Sequence, residues 1–519
     1  MDDERISALA NPVSVLLDKP ARELTRQDII QVIKKSAIER ITFHYTGLDG
    51  KLKEMKIPVL DRRQIEQILA MGERVDGSSL FKGMVDPGLS DLYVVPVYST
   101  AFINPFDSLS LDFVCRYLTK DGEPAPFTMD NILARAASFF RMKSGLEIRA
   151  LGELEFFLLS RPESELYSAG RQRGYHNSLP FVKNGPVLDE MLRAISMITG
   201  AIKYAHSEVG YIDSIASAFE EIDGRRAEQM EIEFLPRPLE ETADSLVISR
   251  WIIRNIAFRH GQVATFAPKL DEAVAGNGLH FHLELLKDGQ SVMTEDDGRL
   301  SEPARRLIGG LCRFADSLTA FGNTLASSYL RLVPDHEAPT RVCWSDLNRS
   351  ALIRVPLGWT NLTDLAGRLN PQQREAPAER AGSRQTVELR SPDGSALIHL
   401  VLAGIAAAAG RAFGDSHLDE DPLATAEKLY VSGNIFKNRE ILSRLPKLPA
   451  SCAESARLLL KKRSLYEKDG LFPAGVIDYT AGLLQAEDDE GLHEKIMSLP
   501  EDKRLEAIRH VMHRDIHRH

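Results

Sequence analysis

At 519 residues the chain is too long for one simple hydrophobic core, so two or more domains are expected. Its 43% hydrophobic and 27% charged content is that of a soluble globular protein, and a formal charge of −10 argues against a nucleic-acid partner, which wants a basic surface. Cys115, Cys312, Cys343 and Cys452 have no Cys-x-x-Cys spacing, and the acidic start lacks the basic, apolar pattern of a signal peptide; a reducing cytoplasm without structural zinc or disulfides is expected.

In chain order, residues 1–24 form a lead broken by Pro12 and Pro20. Thr25 to Ile38 has the pattern of a helix, with Thr25 as cap and Asp28 three residues on. Ile41 to Tyr45 and Lys53 to Ile57 flank Leu48-Asp49-Gly50, a hairpin signal. A helix from Arg62 to Met71 and strand-like runs at Asp91–Val97 and Leu109–Leu118 complete an N-terminal α+β domain over 25–122, closed by Asp121-Gly122-Glu123-Pro124. The remainder, 123–519, forms a second domain. Helices are expected at Met129–Met142, Leu188–Ala205, Leu239–Ala264 and Ala304–Ser328, with an irregular stretch from Arg161 to Pro186. The longest apolar run, Leu400 to Ala409, is too short to span a bilayer and suits a buried helix, which gives no membrane partner. The tail from about Pro422 is helical and loop-rich, and the histidines of 510–519 are expected to be solvated, with no metal role.

Within this second domain, four strand-like runs share one layout. His280 and His282 alternate behind Ala275-Gly276-Asn277-Gly278; Glu153 and Glu155 alternate in Gly152 to Leu159; Gln229, Glu231 and Glu233 alternate in their run; Glu388 and Arg390 close the set. Alternate side chains of a strand share a face, so each run puts acids, imidazoles or guanidinium opposite an apolar face. One such pair is usually the solvent face of a half-buried sheet. Four of them, if their polar faces converge, make a carboxylate-lined cavity suited to hard divalent cations.

These runs also carry a resemblance. Asp76-Gly77-Ser78-Ser79, Gly152 to Phe157, Gln229 to Ile232, Ala264 to Lys269, Gly276 to His282, Arg331 to Pro339, Asn348 to Arg354 and Glu388 to Asp393 occur in the order found in glutamine synthetases of bacterial type. The chain resembles that family from about Ile41 to Ala409. The resemblance implies an N-terminal β-grasp-like domain and a catalytic domain whose antiparallel strands form a funnel surrounded by helices. It implies a homo-oligomer, a double hexameric ring, in which Asp76 and Ser79 serve the funnel of the neighbouring subunit.

The implied activity joins the γ-carboxylate of glutamate to ammonia at the expense of ATP, through a γ-glutamyl phosphate. Two Mg²⁺ or Mn²⁺ ions are implied, one held by Glu155, Glu221 and Glu231 and the other by Glu153, His280 and Glu388. Arg331, Arg349 and Arg390 match arginines that grip the glutamate carboxylate and the transferring phosphoryl group, a task suited to the planar guanidinium fork. Asp76 matches the acceptor of the ammonium proton and Glu337 the flap residue that shields the acyl phosphate. Ser79, Tyr175 and Gly276 match substrate positions; His282, Arg354 and Arg384 fall at the nucleotide end.

The pattern is not uniform. Glu221 stands two residues farther from Glu231 than the family spacing, so Glu220 or Asp223 are alternatives, and Phe219 occupies a place where histidine is common. Ala275, Asp335-His336 and Thr386 replace an asparagine, a Gly-Tyr pair and an arginine, with Arg384 near enough to substitute for the last. Two other readings follow from these departures: γ-glutamyl ligation of an organic amine or polyamine, and a ring-forming scaffold or regulator without catalysis. Tyr430 lies near a position modified in some bacterial members, with only a slight local match.

Overall fold

The computed structural model describes residues 8–86, 88, 90–162, 166–167, 169–333, 338–358, 365–372, 384–414 and 420–518. Among these residues the strands are, in chain order, β1 Arg40–Thr46, β2 Leu52–Pro58, β3 Glu73–Asp76, β4 Asp91–Pro96, β5 Phe102–Ile103, β6 Ser110–Leu118, β7 Glu147–Ser160, β8 Ile202–Ile212, β9 Arg226–Phe234, β10 Arg237–Pro238, β11 Val263–Thr265, β12 Leu279–Lys287, β13 Gln290–Ser291, β14 Trp344–Asp346, β15 Ile353–Val355 and β16 Val387–Leu389. The first eleven α-helices are α1 Pro12–Leu17, α2 Arg26–Lys35, α3 Arg62–Met71, α4 Gly77–Leu80, α5 Met129–Ser144, α6 Gly185–Thr199, α7 Leu239–Arg259, α8 Glu302–Gly322, α9 Ala326–Arg331, α10 Leu365–Leu369 and α11 Ile398–Gly414.

The N-terminal sheet runs β2-β1-β6-β4-β3, with β5 on β6. Its hairpin turns where expected: the Gly47 amide bonds to Lys51 O, and Gly50 takes a φ of 75° that a side chain would resist. Thr25 caps α2 in a capping box with Asp28. From residue 8 onward the lead is more ordered than its prolines suggest. Asn11 caps α1 and Pro12 sits in its first turn, where a missing N–H costs nothing.

The second sheet runs β14-β15-β16-β12-β7-β9-β8, antiparallel except for β14 beside β15. The long strand β7 is its spine, pairing with β9 on one side and β12 on the other. Helix α11 packs among α5, α8 and α7, buried from Ile398 to Ala412, because an Ala/Leu/Ile run without a polar face must be covered all round. Arg116 on β6 makes a two-pronged ion pair with Asp244 on α7, at 3.2 and 2.6 Å, tying the two sheets' layers together.

Three expected helices end early. Gly200, at φ 59°, caps α6 after Thr199, and the stretch expected to continue helical becomes β8. Helix α7 stops at His260 before Gly261, and residues 263–265 pair with β7 as β11. The helix expected over Ala304–Ser328 breaks at Asn323, whose amide groups are committed to Ser391 and Asp393. Among the described C-terminal histidines, His510 and His517 are exposed as expected of a tail, whereas His513 is docked. His513 is 1% exposed, contacting Ser217 Oγ at 3.0 Å and Leu270 O at 2.8 Å, and Thr265 donates to Ile516 O.

Candidate active site

The polar faces do converge. Glu153 and Glu155 on β7, Glu208 on β8, Gln229 and Glu231 on β9, Ala275 and Gly276, His280 on β12, and Arg331, Arg349 and Arg390 line one cleft. All of them follow residue 150; among the described residues the lining includes nothing from the N-terminal sheet.

Register explains the meeting. Glu153 pairs with His280 across β7 and β12, and Glu155 pairs with Glu231 across β7 and β9. Glu388 sits opposite His282 and Arg354 on the other flank. The glycine turn before β12 lets backbone approach: Gly278 donates its amide to Glu155 at 2.8 Å, and a Cβ there would stand 2.6 Å from His280 Nε2. At Gly276 a Cβ would meet Pro268 O at 2.2 Å.

At one end, the Glu153 carboxylate takes His280 Nδ1 at 2.9 Å on one oxygen and His282 Nε2 at 2.8 Å on the other. Arg331 donates to His280 Nε2 at 3.3 Å, and since guanidinium cannot accept, that nitrogen presents its lone pair and Nδ1–H faces Glu153. His280 Nδ1 also lies 3.5 Å from Glu388, whose other oxygen accepts from Arg354 at 2.8 Å. Against burial, the two imidazoles hold Glu153 well below the usual carboxylate range, and Arg390 holds Glu388 down. Glu153 in turn raises His282 above an ordinary imidazole, despite burial. The Nδ1 of His282 meets Thr386 Oγ1 at 2.9 Å, so the threonine that replaces an expected arginine is spent on orienting this ring.

At the other end the balance reverses. Burial, with Glu208 adding repulsion against the pull of His280, pushes Glu155 up to about 6; burial plus Glu153 and Glu155 pushes Glu231 well up. His206 stands 3.4 Å from Glu231 and 3.8 Å from Glu208. Ligand-type atoms of Glu153, His282 and Glu388, of His206, Glu208 and Glu231, and of Glu153, Glu231 and Glu233 each gather within 4.8 Å of one another. Carboxylates pushed toward protonation by burial and by one another are a donor set that a divalent cation would relieve, so these residues fit one.

Glu221 does not belong to the set. It is exposed on a turn beyond β8, where it pairs with His517 at 2.8 Å, and Glu208 stands in the cleft instead. The signal is in the sequence: His206 and Glu208 alternate as in the other four runs, but the stretch leading to them, Leu188–Ala205, has the pattern of a helix. His282, expected at the nucleotide end, joins the Glu153–Glu388 carboxylates.

The remaining positions are spread around this cleft. Tyr175 is 52% exposed, stacked on His176 at 4.3 Å and edge-on to His206 at 5.5 Å. Arg331 and Arg390 are buried, Arg349 is exposed, and Arg384 is exposed just ahead of β16. Lys269 is buried, donating to Val274 O at 2.6 Å, with burial and Arg331 bringing it down to about 8. Asp76 lies apart on the edge strand β3, where it caps α4. Its carboxylate accepts from Ser79 Oγ at 2.6 Å and Ser78 Oγ at 2.7 Å, and these bonds hold it at about 2. Glu337, Asp335 and His336 lie outside the described residues.

Residues 131–487 match the glutamine synthetase catalytic domain and residues 37–120 the glutamine synthetase β-grasp domain. The chain belongs to the glutamine synthetase family. A glutamine synthetase of Pyrococcus horikoshii is 32% identical over 370 residues, 71% of this chain and 73% of its own length. That of Thermococcus kodakarensis is 31% identical over 441 residues, 84% of this chain and 87% of its own. Among solved structures, Plasmodium falciparum glutamine synthetase superposes with a TM-score of 0.70 at 19% identity over 92% of this chain and 98% of that one. GmaS in complex with ADP gives 0.68 at 21%, over 91% and 97%. At those identities the structures establish the fold. Membership makes the chain a carbon–nitrogen ligase that uses ATP and a divalent metal.

Proposed function

We propose that this glutamine synthetase family member condenses glutamate with ammonia at the expense of ATP, through a γ-glutamyl phosphate. The observation that carries this reading is the cleft itself, in which acids and imidazoles able to hold two cations face Arg331, Arg349 and Arg390. Glutamate carboxylate is a poor electrophile until a phosphoryl group is placed on it, and two anions must first be brought together.

Glu155, Glu208 and Glu231, with His206 beside them, would hold one ion, and Glu153, His280, His282 and Glu388 the other. Bound there, Mg²⁺ or Mn²⁺ would neutralise the phosphate oxygens and act as Lewis acid to the transferring group. The protein's own cations then fix direction. Buried Arg390, 3.5 Å from Glu388, and buried Arg331, which donates to Ser391 O and His280, carry forked donors of the kind that meet carboxylate or phosphoryl oxygens in pairs. Exposed Arg349 is placed to close over the γ-carboxylate, and Arg354 and Arg384 to meet the nucleotide phosphates.

Ammonium needs an anionic pocket and a proton acceptor. Tyr175, edge-on to His206, would supply part of that pocket. Asp76, kept ionised by its two serine hydroxyls, would complete it from a neighbouring subunit with Ser79, in a ring of two stacked hexamers. Glu337 would shield the acyl phosphate from water. The test is phosphate release from ATP by purified protein with L-glutamate and Mg²⁺ or Mn²⁺, comparing ammonia with methylamine, ethanolamine and polyamines. Turnover confined to ammonia is the expected result. Preference for an organic amine would overturn the choice of acceptor, and no release with any amine would overturn the reaction.

A further inference from the structure

Away from the catalytic cleft, a second cavity of about 190 Å³, largely apolar but reached by three basic side chains, lies where the N-terminal hairpin meets α7. Gly50, Lys51 and Leu52 form one wall, and Arg250, Trp251 and Arg254 the other. Three cations thus face one space. Arg250 is 3% exposed and donates to Gly394 O at 2.9 Å and Ala396 O at 3.2 Å. Its Nε has no hydrogen-bond partner, and neither does the buried Nη2 of Arg254.

Both guanidinium groups pack over the same Phe266 ring, at 5.5 and 4.9 Å. That contact satisfies charge in part but no N–H group, and a buried donor left without a partner is destabilising. The acids nearby are engaged elsewhere: Asp49 bonds to Lys53 Nζ at 2.6 Å, and Asp393 to Asn323 and Ser395. Among the described residues none of the three cations forms an ion pair. Burial, with Arg254 adding repulsion, brings Arg250 down to about 9 and lowers Lys51, and burial brings Arg254 to about 10. Like charges converging on a cavity with donors to spare is the arrangement of an anion receptor. At about 30 Å³ per water molecule of liquid, the space takes a phosphate or a small dicarboxylate with solvent.

We propose that this cavity binds a small oxyanion, phosphate or dicarboxylate, held by Lys51, Arg250 and Arg254, and that the bound anion fastens the N-terminal hairpin to α7. The same Arg250 also holds the 394–396 backbone, and the Gly394 amide bonds to Asn277 O in the glycine turn, so the receptor adjoins the framework of the catalytic cleft.

The experiment is calorimetric and thermal-shift titration of the full-length, metal-free protein with sodium phosphate and, separately, succinate, at constant ionic strength set with chloride. Arg254→Gln and Lys51→Ala are compared with wild type and with Arg349→Gln, which reports anion binding in the catalytic cleft. A saturable event is expected that survives in R349Q, weakens by at least about tenfold in R254Q and K51A, and leaves ammonia-dependent turnover in place. The tighter of the two anions identifies the ligand class. Wild-type binding in R254Q and K51A would overturn the proposal, as would saturation with neither anion. An R254Q melting temperature lowered equally with and without anion would mean that the arginine only packs on Phe266, which also overturns it. So would ring dissociation in R254Q without any anion effect, since the cations would then serve a carboxylate of a second copy.

Discussion

Glu153 and His282 are joined at 2.8 Å although they are not register partners: the strand neighbour of Glu153 is His280, and the carboxylate reaches one pair further to take both rings. One acid therefore orients two imidazoles. Glu153→Gln keeps the shape but removes the charge that raises His282, and divalent-metal affinity is expected to fall about 10- to 100-fold. Because His282 is raised, protons compete with metal, so wild-type affinity is expected to weaken as pH is lowered through the neutral range, and less so in E153Q. Mn²⁺ titrations at several pH values check both statements. Unchanged affinity in E153Q would remove this carboxylate from the metal set.

Glu155 gives a pH dependence of opposite sign to an ordinary salt-bridged acid. Its folded value is raised from 4.5 to about 6, so in metal-free protein the folded state binds the extra proton. Stability contributed by this proton is present below 4.5 and lost as pH rises through 6. Glu155→Gln abolishes that loss. The stability of wild type relative to E155Q, from denaturant unfolding without metal, is expected to decline between pH 4.5 and 7 and to recover when Mg²⁺ is added. A flat difference would mean that the cleft is more hydrated than its burial indicates.

The fold was legible in sequence where side-chain periodicity and turn chemistry agreed. Thr25 with Asp28, the Asp49-Gly50 turn and the buried Leu400–Ala409 run each signalled one structure, and each formed it. What escaped were elements whose local signals conflicted. Apolar Ile195 and Ile198 lead smoothly toward Ala201, so the helix seemed to continue, and only Gly200 marked the strand that carries Glu208. The docking of His513 and Ile516 onto 265–270 depends on partners about 250 residues away, which periodicity cannot register.

That missed strand supplies a sharp comparison. Glu208 lines the cleft beside His206 and Glu231, whereas Glu221 is exposed and pairs with His517. Glu208→Ala is expected to lower kcat/KM at least about 100-fold, as loss of an ion-holding carboxylate does. Glu221→Ala, which breaks only a surface pair, is expected to stay within about twofold of wild type. The reverse ranking in steady-state assays would restore Glu221 to the site.

Gly278 separates geometry from stability. A methyl group there would sit 2.6 Å from His280 Nε2, 2.9 Å from Arg331 Nη2 and 3.0 Å from Glu155 Oε1. Those atoms end side chains that can be displaced without moving backbone, so Gly278→Ala is expected to fold. Its activity is expected to fall about 100-fold, since displacing catalytic groups by about 1 Å has that effect. Circular dichroism with steady-state kinetics checks this, and an active G278A would show that the His280–Glu155 spacing tolerates change.

Arg116 and Asp244 connect the N-terminal sheet to α7 through a paired guanidinium–carboxylate contact, with the Asp244 side chain 11% exposed and His399 at 3.8 Å. Removing one partner strands the other charge in a poorly solvated place. Arg116→Ala is therefore expected to destabilise by about 3 kcal/mol, as breaking a buried pair does, while the double change Arg116→Met with Asp244→Leu is expected to recover most of that loss. The comparison also bears on catalysis. If Asp76 serves a neighbouring subunit, loosening its sheet from α7 misplaces it there, so R116A is expected to raise the KM for ammonia more than that for ATP. Equal effects on both would mean that this contact supports folding alone.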